Sequence, residues 1–294
     1  MSDLGLLAYY LGIEVTQAGG MITIRHTGYI NKILKETSMM EINDTKIRMD
    51  PCIKLVKAED GNSVDATYYR IIIESLRYLL HTRPDLSYSD RLLSKFMQDP
   101  TDHHLKAVKQ VIRYIKETKE HGIIYKKQGG CKITGYRDSS YGINTDQGKG
   151  TTRIVFYFGE SPITWCTQKQ PTAALSSCES EFMADTGVAC QDLWLKWVLS
   201  ELTSWEEKKI TLKVDNILAI ALVKNPVFHG RSRHIDIRYH FIRECIENGH
   251  INIEHISSEL QRADILTKAL LRLTFLTMRQ MLGVQDLGQS NDRD

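Results

Sequence analysis

Four carboxylates stand where the chain passes from one kind of segment to another. Asp138, in ITGYRDSSYG, follows Ile133 and Tyr136. Asp215, in ITLKVDNILAIAL, closes the alternating apolar run Ile210, Leu212, Val214 and opens a helical one. A carboxylate at the end of a strand commonly faces a cleft. Glu181 lies in LSSCESEFMAD, residues 175–185, which reads as the first turns of a helix. There Ser176 suits an N-cap and Glu179 the capping-box position three residues on, which gives Glu179 a structural task. Glu181 points about 200° away from it around the helix axis and has no such task. Asp264, in SSELQRADILTKAL, starts a helix, where an acid also suits the dipole. For any one of these acids a solvated surface role is the plainer explanation. Brought together, the four would repel one another, and hard divalent cations bound through oxygen are the natural compensation.

The segments that would position these acids follow from hydrophobic period and turn residues. Beyond residue 130 the pattern predicts strands at 132–138, 152–159 and 162–168, and a helix at 176–202. A strand at 209–215, helices at 217–224 and 231–248, a strand at 250–256 and helices at 262–270 and 272–282 complete it. Three antiparallel strands followed by strand–helix alternation make a mixed, five-stranded α/β layout with flanking helices. Trp194, Leu195, Trp197, Val198 and Leu202 are expected in the core. The first half predicts a hairpin, with strands at 7–15 and 21–24 around the turn Ala18-Gly19-Gly20. Helices are expected at 27–38, 66–80, 84–97 and 101–118, with a polar, irregular stretch at 41–64. Gln128-Gly129-Gly130 is a plausible joint between the halves.

A chain of 294 residues, 42% apolar and 25% charged, suggests two soluble globular domains. The net charge of +2 does not announce a nucleic-acid binder, so such binding must rest on a local patch. The six cysteines form no CxxC pair, and the histidines show no HExxH spacing, so neither a zinc site nor a disulfide framework is indicated. No apolar run reaches membrane-spanning length and no signal peptide is apparent, so the expectation is a protein that is not secreted and has no membrane partner.

The blocks GYRDSSYG, TWCTQKQPTAALSSCESEFMA, VDNILAIALVKNPVFHGRSRHIDIRYHFIRE and ADILTK resemble, in order and spacing, the ribonuclease H domain of copia-type LTR retrotransposon Pol polyproteins. The resemblance covers about 135–283. YYLGIEV, GYINKIL, VDATYYRIIIESLRYLLHTRPDLSYS and HLKAVKQVIRYIKET resemble the end of the reverse-transcriptase palm, the thumb and the connecting helices of the same polyproteins. The resemblance implies three parts. Residues 1–128 would be a small, mostly helical reverse-transcriptase remnant with an N-terminal hairpin, 129–284 a ribonuclease H-like domain and 285–294 a disordered tail. No YxDD motif occurs, the chain begins after the place where it would stand, and no polymerase activity is expected. The hairpin is expected to lack the sheet it would normally pair with, leaving an exposed edge.

The implied activity is hydrolysis of the RNA strand of an RNA–DNA hybrid with two Mg²⁺ ions, Mn²⁺ being a substitute. Asp138, Glu181, Asp215 and Asp264 would be the metal-binding catalytic quartet. By resemblance Asp138 would be shared between the ions, Glu181 and Asp215 would serve the leaving-group ion, and Asp264 the nucleophile-side ion. Ser139, Ser177 and Asn216 would sense the hybrid, and the rest of a Pol polyprotein is a further partner. Arg231 and Arg233, like Lys169 and Gln170, suit phosphate contact and a solvated face about equally. A cytoplasmic or nuclear location follows from the life cycle of such elements.

Several residues depart from the family's pattern. The loop before Asp264, Ser257 to Arg262, lacks a His, and His255 lies just upstream. Arg153 stands at a Gly position, where it is expected to clash or to block a close backbone approach. Glu74 stands at another Gly position, where burial without a partner would be costly. These changes leave open a second reading, an inactive remnant that at most binds nucleic acid.

Overall fold

The computed structural model describes residues 5–56, 61–127, 130, 132–140, 150–170, 177–203, 209–224 and 236–288. The chain divides into two compact units, one made of Met1–Lys127 with Lys268–Asp294, the other of Gln128–Thr267. The expected second domain ran on to 284, but Lys268 and everything after it belongs with the first unit.

The first unit contains strands β1 (Tyr9–Tyr10), β2 (Ile13–Ala18) and β3 (Met21–Arg25), then helices α1 (Thr27–Glu36), α2 (Ala66–Leu79), α3 (Ser87–Ser94) and α4 (Asp102–Glu117). Strand β4 (His121–Lys126) follows, and the C-terminal segment adds helix α8 (Arg272–Leu282) and strand β10 (Val284–Asp286). Among the described residues the sheet order is β1-β2-β3-β4-β10. The hairpin therefore does have a sheet, contrary to the sequence reading. Ile22 and Ile24 of β3 lie opposite Tyr125 and Ile123 of β4. The expected tail from 285 is likewise a strand at its start, with Val284 opposite Ile123, while 289–294 lie outside the described residues.

Helix α2 begins where Asp65 accepts from the Thr67 N–H, and it buries Tyr69, Ile72, Ile73, Leu76 and Leu79 at helical spacing. Glu74 lies on the opposite face, 59% exposed and 2.9 Å from Arg77, so its feared burial does not arise. Beneath α4 a charged network is wholly enclosed. Arg83 holds Asp85 through two bonds of 2.9 and 2.8 Å, and Tyr114 donates to the same carboxylate at 2.6 Å. Burial alone would raise the Asp85 pKa, but Arg83 more than offsets it and holds the carboxyl well below its usual range. Arg279 of α8 donates to Tyr114 at 3.0 Å, which ties the C-terminal helix to this network.

The second unit contains β5 (Ile133–Ser140), β6 (Thr151–Phe158), β7 (Ser161–Lys169), α5 (Ser177–Thr203), β8 (Ile210–Val214), α6 (Ile217–Lys224), α7 (Asp236–Glu247) and β9 (Ile251–His255). Among the described residues its sheet order is β7-β6-β5-β8-β9, antiparallel from β5 to β7 and parallel from β5 through β8 to β9. One face carries Ile133, Ile154, Phe156, Leu212, Val214 and Ile253, packed against Val188, Ala189 and Leu195 of α5 and Ile242 of α7. Gly135 makes this packing possible, because a Cβ there would lie 2.6 Å from the Leu212 side chain and 2.8 Å from Phe156.

Two expectations fail in this unit. Trp194 and Trp197 are 56% and 60% exposed, and Leu202 is exposed as well. The residues of α5 that meet the sheet recur as Val188, Asp192, Leu195 and Leu199, and Trp194 and Trp197 fall outside that stripe. The helix expected at 262–270 is a 3-10 turn, Arg262–Leu266, followed by Lys268 in the other unit. Arg262 pins this turn to the second face of the sheet, with its guanidinium 4.8 and 4.5 Å from the ring centroids of Tyr136 and Tyr157.

Candidate metal-dependent active site

Strand β5 runs parallel to β8, and Arg137 is the register partner of Val214. The next residue after each is an acid, Asp138 within β5 and Asp215 just past the end of β8. The 3-10 turn adds Asp264. Each of the three offers a carboxylate oxygen, and these oxygens all lie within 4.8 Å of one another. Asp138 and Asp264 are buried and Asp215 is half-buried, at an open depression of about 380 Å³ lined by Asp138, Asp215, Asn216, Ile217 and Leu218. Three carboxylates so placed repel one another and could hold a cation between them, and their all-oxygen donor set would suit a hard divalent one. Glu181 lies in α5, a helix that packs on β5, and its side chain is outside the described residues.

Gln261 locks the three acid-bearing segments together. It is fully buried, and its Nε2 donates to the carbonyl of Arg137 at 2.8 Å and to that of Lys213 at 3.5 Å. Its Oε1 accepts from the Ala263 N–H at 3.3 Å, and its backbone carbonyl accepts from the Asp264 N–H at 3.1 Å. One side chain thus spans the residue before Asp138, the residue two before Asp215 and the first turn that carries Asp264. Sequence reading passed over it. The one available signal was a Gln just ahead of Arg-Ala-Asp at a helix start, where a side-chain acceptor can cap.

No protein-family model matches the chain. It is 36% identical, over 95% of its length, to the retrovirus-related Pol polyprotein from transposon RE1 of Arabidopsis thaliana, and 35% identical over the same share to that from transposon RE2. The chain belongs with the Pol polyproteins of copia-type transposons. It spans 19% of the length of each of these two relatives. Among solved structures, the RNase H1 of the archaeon Halobacterium salinarum is 14% identical, covering 46% of this chain and 93% of that one, with a TM-score of 0.34. The mixed five-stranded sheet with helices packed on it is the α/β layout that the sequence led us to expect.

The remaining residues expected as nucleic-acid contacts have different surroundings. Ser139 and Asn216 are half-buried beside the acids, with Ser139 Oγ 3.5 Å from Ser180 Oγ. Asn216 caps α6, its Oδ1 accepting from the Ala219 N–H at 3.1 Å. Lys169 is exposed at the end of β7. Gln170 has a different task from the one expected. It is 4% exposed and spends both ends of its amide on Ser180, donating to the carbonyl at 2.6 Å and accepting from the hydroxyl at 3.1 Å. Gln170 thus fastens the end of β7 to the first turns of α5, one position from Glu181. Ser177 begins α5 with its side chain outside the described residues, and Arg231 and Arg233 lie wholly outside them, as do Ser176 and the side chain of Glu179. His255 ends β9, exposed and in register with Val214. Among the described residues no helix is long and apolar enough to cross a membrane.

Proposed function

We propose that the chain is the ribonuclease H part of a copia-type Pol polyprotein and hydrolyses the RNA strand of RNA–DNA hybrids with divalent metal ions. The convergence of Asp138, Asp215 and Asp264 is the observation that supports this most. Their donor set fits Mg²⁺, and Mn²⁺ equally. Two such ions, when bound, activate a water and stabilise the leaving 3′ oxygen of the scissile phosphodiester.

The chain's own residues hold and orient. Asp138 would be shared between the ions, Asp215 and Glu181 would serve the leaving-group side and Asp264 the nucleophile side. Gln261 keeps three of these acids at fixed separation. Ser139, Ser177 and Asn216 sense the 2′-OH that only one strand of a hybrid carries. Lys169, Arg231 and Arg233 meet backbone phosphates. The first unit is read as the end of a reverse-transcriptase palm with its thumb and connecting helices. The rest of the polyprotein is its partner, in the cytoplasm or nucleus.

The test is cleavage of a labelled RNA–DNA hybrid in Mg²⁺ by the full chain, beside Asp215→Asn. Loss of the RNA strand in the first and not the second is the expected result. A folded sample that leaves the hybrid intact overturns it and leaves the second reading, a remnant that binds nucleic acid. Arg153, buried in register with Asp138, is the observation that favours that reading.

A further inference from the structure

Arg153 is accommodated where a clash was expected, and its position gives it a relation to the acids. In the antiparallel ladder of β5 and β6 it lies directly opposite Asp138. Directly opposed residues in such a ladder share one face of the sheet, with Cβ atoms about 4.5–5.5 Å apart. That face also carries Tyr136 and Tyr157, on which Arg262 stacks to hold the turn bearing Asp264. Arg153 is 3% exposed. On its other side the ladder partner is Thr167, which is neutral. A guanidinium stays protonated at any pH in which the protein folds, and burying it is costly unless a carboxylate answers it. Of its two ladder partners only Asp138 is a carboxylate.

We infer that Arg153 is a built-in counter-ion for the acid cluster, supplying part of the positive charge that a divalent ion would otherwise bring. The inference rests on the metal reading above and adds a regulatory feature to it. A site with a permanent cation facing Asp138 holds its fold without metal and binds divalent ions weakly. Arg153 is a positioning residue here, since it acts through Asp138 and not on the substrate.

The experiment is titration of the full chain with Mn²⁺ by calorimetry, together with thermal unfolding in chelator and in excess Mn²⁺. Wild type, Arg153→Met, Arg153→Lys and Asp215→Asn are compared. Met keeps most of the aliphatic stem, so packing is largely retained, and Lys keeps the charge. Arg153→Met is expected to bind Mn²⁺ about tenfold or more tightly than wild type and to melt lower than wild type in chelator, recovering when Mn²⁺ is added. Arg153→Lys should bind about as weakly as wild type.

Equal Mn²⁺ affinity in Arg153→Met and wild type, with both reduced by Asp215→Asn, rejects the counter-ion role and leaves the metal site standing. Absence of Asp215-dependent binding in every variant rejects the metal site itself, and the counter-ion role with it. If both Arg153 variants are unfolded whether or not Mn²⁺ is present, Arg153 serves packing alone and the inference fails. If Arg153→Met folds only with Mn²⁺ while Arg153→Lys folds without it, the ion has replaced the missing cation, as expected.

Discussion

Replacing Gln261 with Met separates the geometry of the acid cluster from its composition. Met is close to Gln in length and fills the same buried space, but it can neither donate to the Arg137 and Lys213 carbonyls nor accept from the Ala263 N–H. Leaving buried polar groups unsatisfied costs about 1–3 kcal/mol. For a unit of this size that corresponds to a fall of roughly 3–10 °C in its melting temperature. All three Asp side chains remain, so any loss of ion binding reflects their separation. Removing a residue that orients metal ligands commonly lowers metal affinity by about 10–100-fold. Displacing reacting groups by about 1 Å lowers turnover by a comparable factor. Mn²⁺ titration and hybrid cleavage should therefore both fall at least tenfold in Gln261→Met. Leu195→Ala is the matched control. It opens a cavity in the helix–sheet core, costs about 2–5 kcal/mol, and should leave ion affinity within about twofold of wild type. If Gln261→Met melts lower yet binds Mn²⁺ and cleaves like wild type, the three strand and turn ends do not need this clamp and the reasoning is wrong.

Two further outcomes follow from packing and from protonation. Gly135→Ala forces a methyl group to within 2.6 Å of Leu212 and 2.8 Å of Phe156, so it should destabilise the second unit by about 1–3 kcal/mol in urea denaturation. An unchanged midpoint would mean that the sheet relaxes freely there. In the first unit, burial lowers the His26 pKa to about 4, with His81 adding to the effect. Burial, assisted by Arg83, lowers that of His121 to about 4 as well. Both rings are neutral in the fold, while in the unfolded chain they take up protons near pH 6.5. Their contribution is thus complete above pH 6.5 and is lost as pH falls toward 4. Asp90, raised to about 6 chiefly by burial, works the other way below pH 6, one group against two. The urea midpoint of the first unit should drop between pH 7 and pH 4.5, and His26→Gln should shrink the drop. A level or rising midpoint refutes this balance.

The parts of the fold that the sequence disclosed are those whose cause is local. β8 shows as alternation, α4 as a 3.6-residue stripe, and α2 is capped by a residue within its own first turn. β4 went unread because HGIIYK has little alternation of its own and owes its strand to β3 and β10, about 100 and 160 residues away in the chain. The C-terminal boundary went unread for the same reason, since β10 is a strand only because β4 lies beside it. Trp194 and Trp197 show the opposite failure. Their apolar character is local, but the stripe of α5 that meets the sheet is set by Val188 and Leu195, and no rule places every large side chain inside.

At the acid cluster the same division holds. Asp138, Asp215 and Asp264 are legible because a carboxylate after an apolar strand, or at a helix start, contrasts with its immediate neighbours. Gln170 and Arg153 are legible as residue types and not as roles. An amide near the acids reads as a substrate contact until the structure puts Ser180 against both its ends. An arginine reads as a clash until β5 and β6 are laid in register. Gln261 is the extreme case. It works through two backbone carbonyls, and backbone carbonyls leave no trace in a sequence. Its partners at Arg137 and Lys213 are separated from it by 124 and 48 residues. The acids carry the proposed chemistry, while the geometry it would require is held by polar side chains whose partners become visible only when the strands are brought side by side.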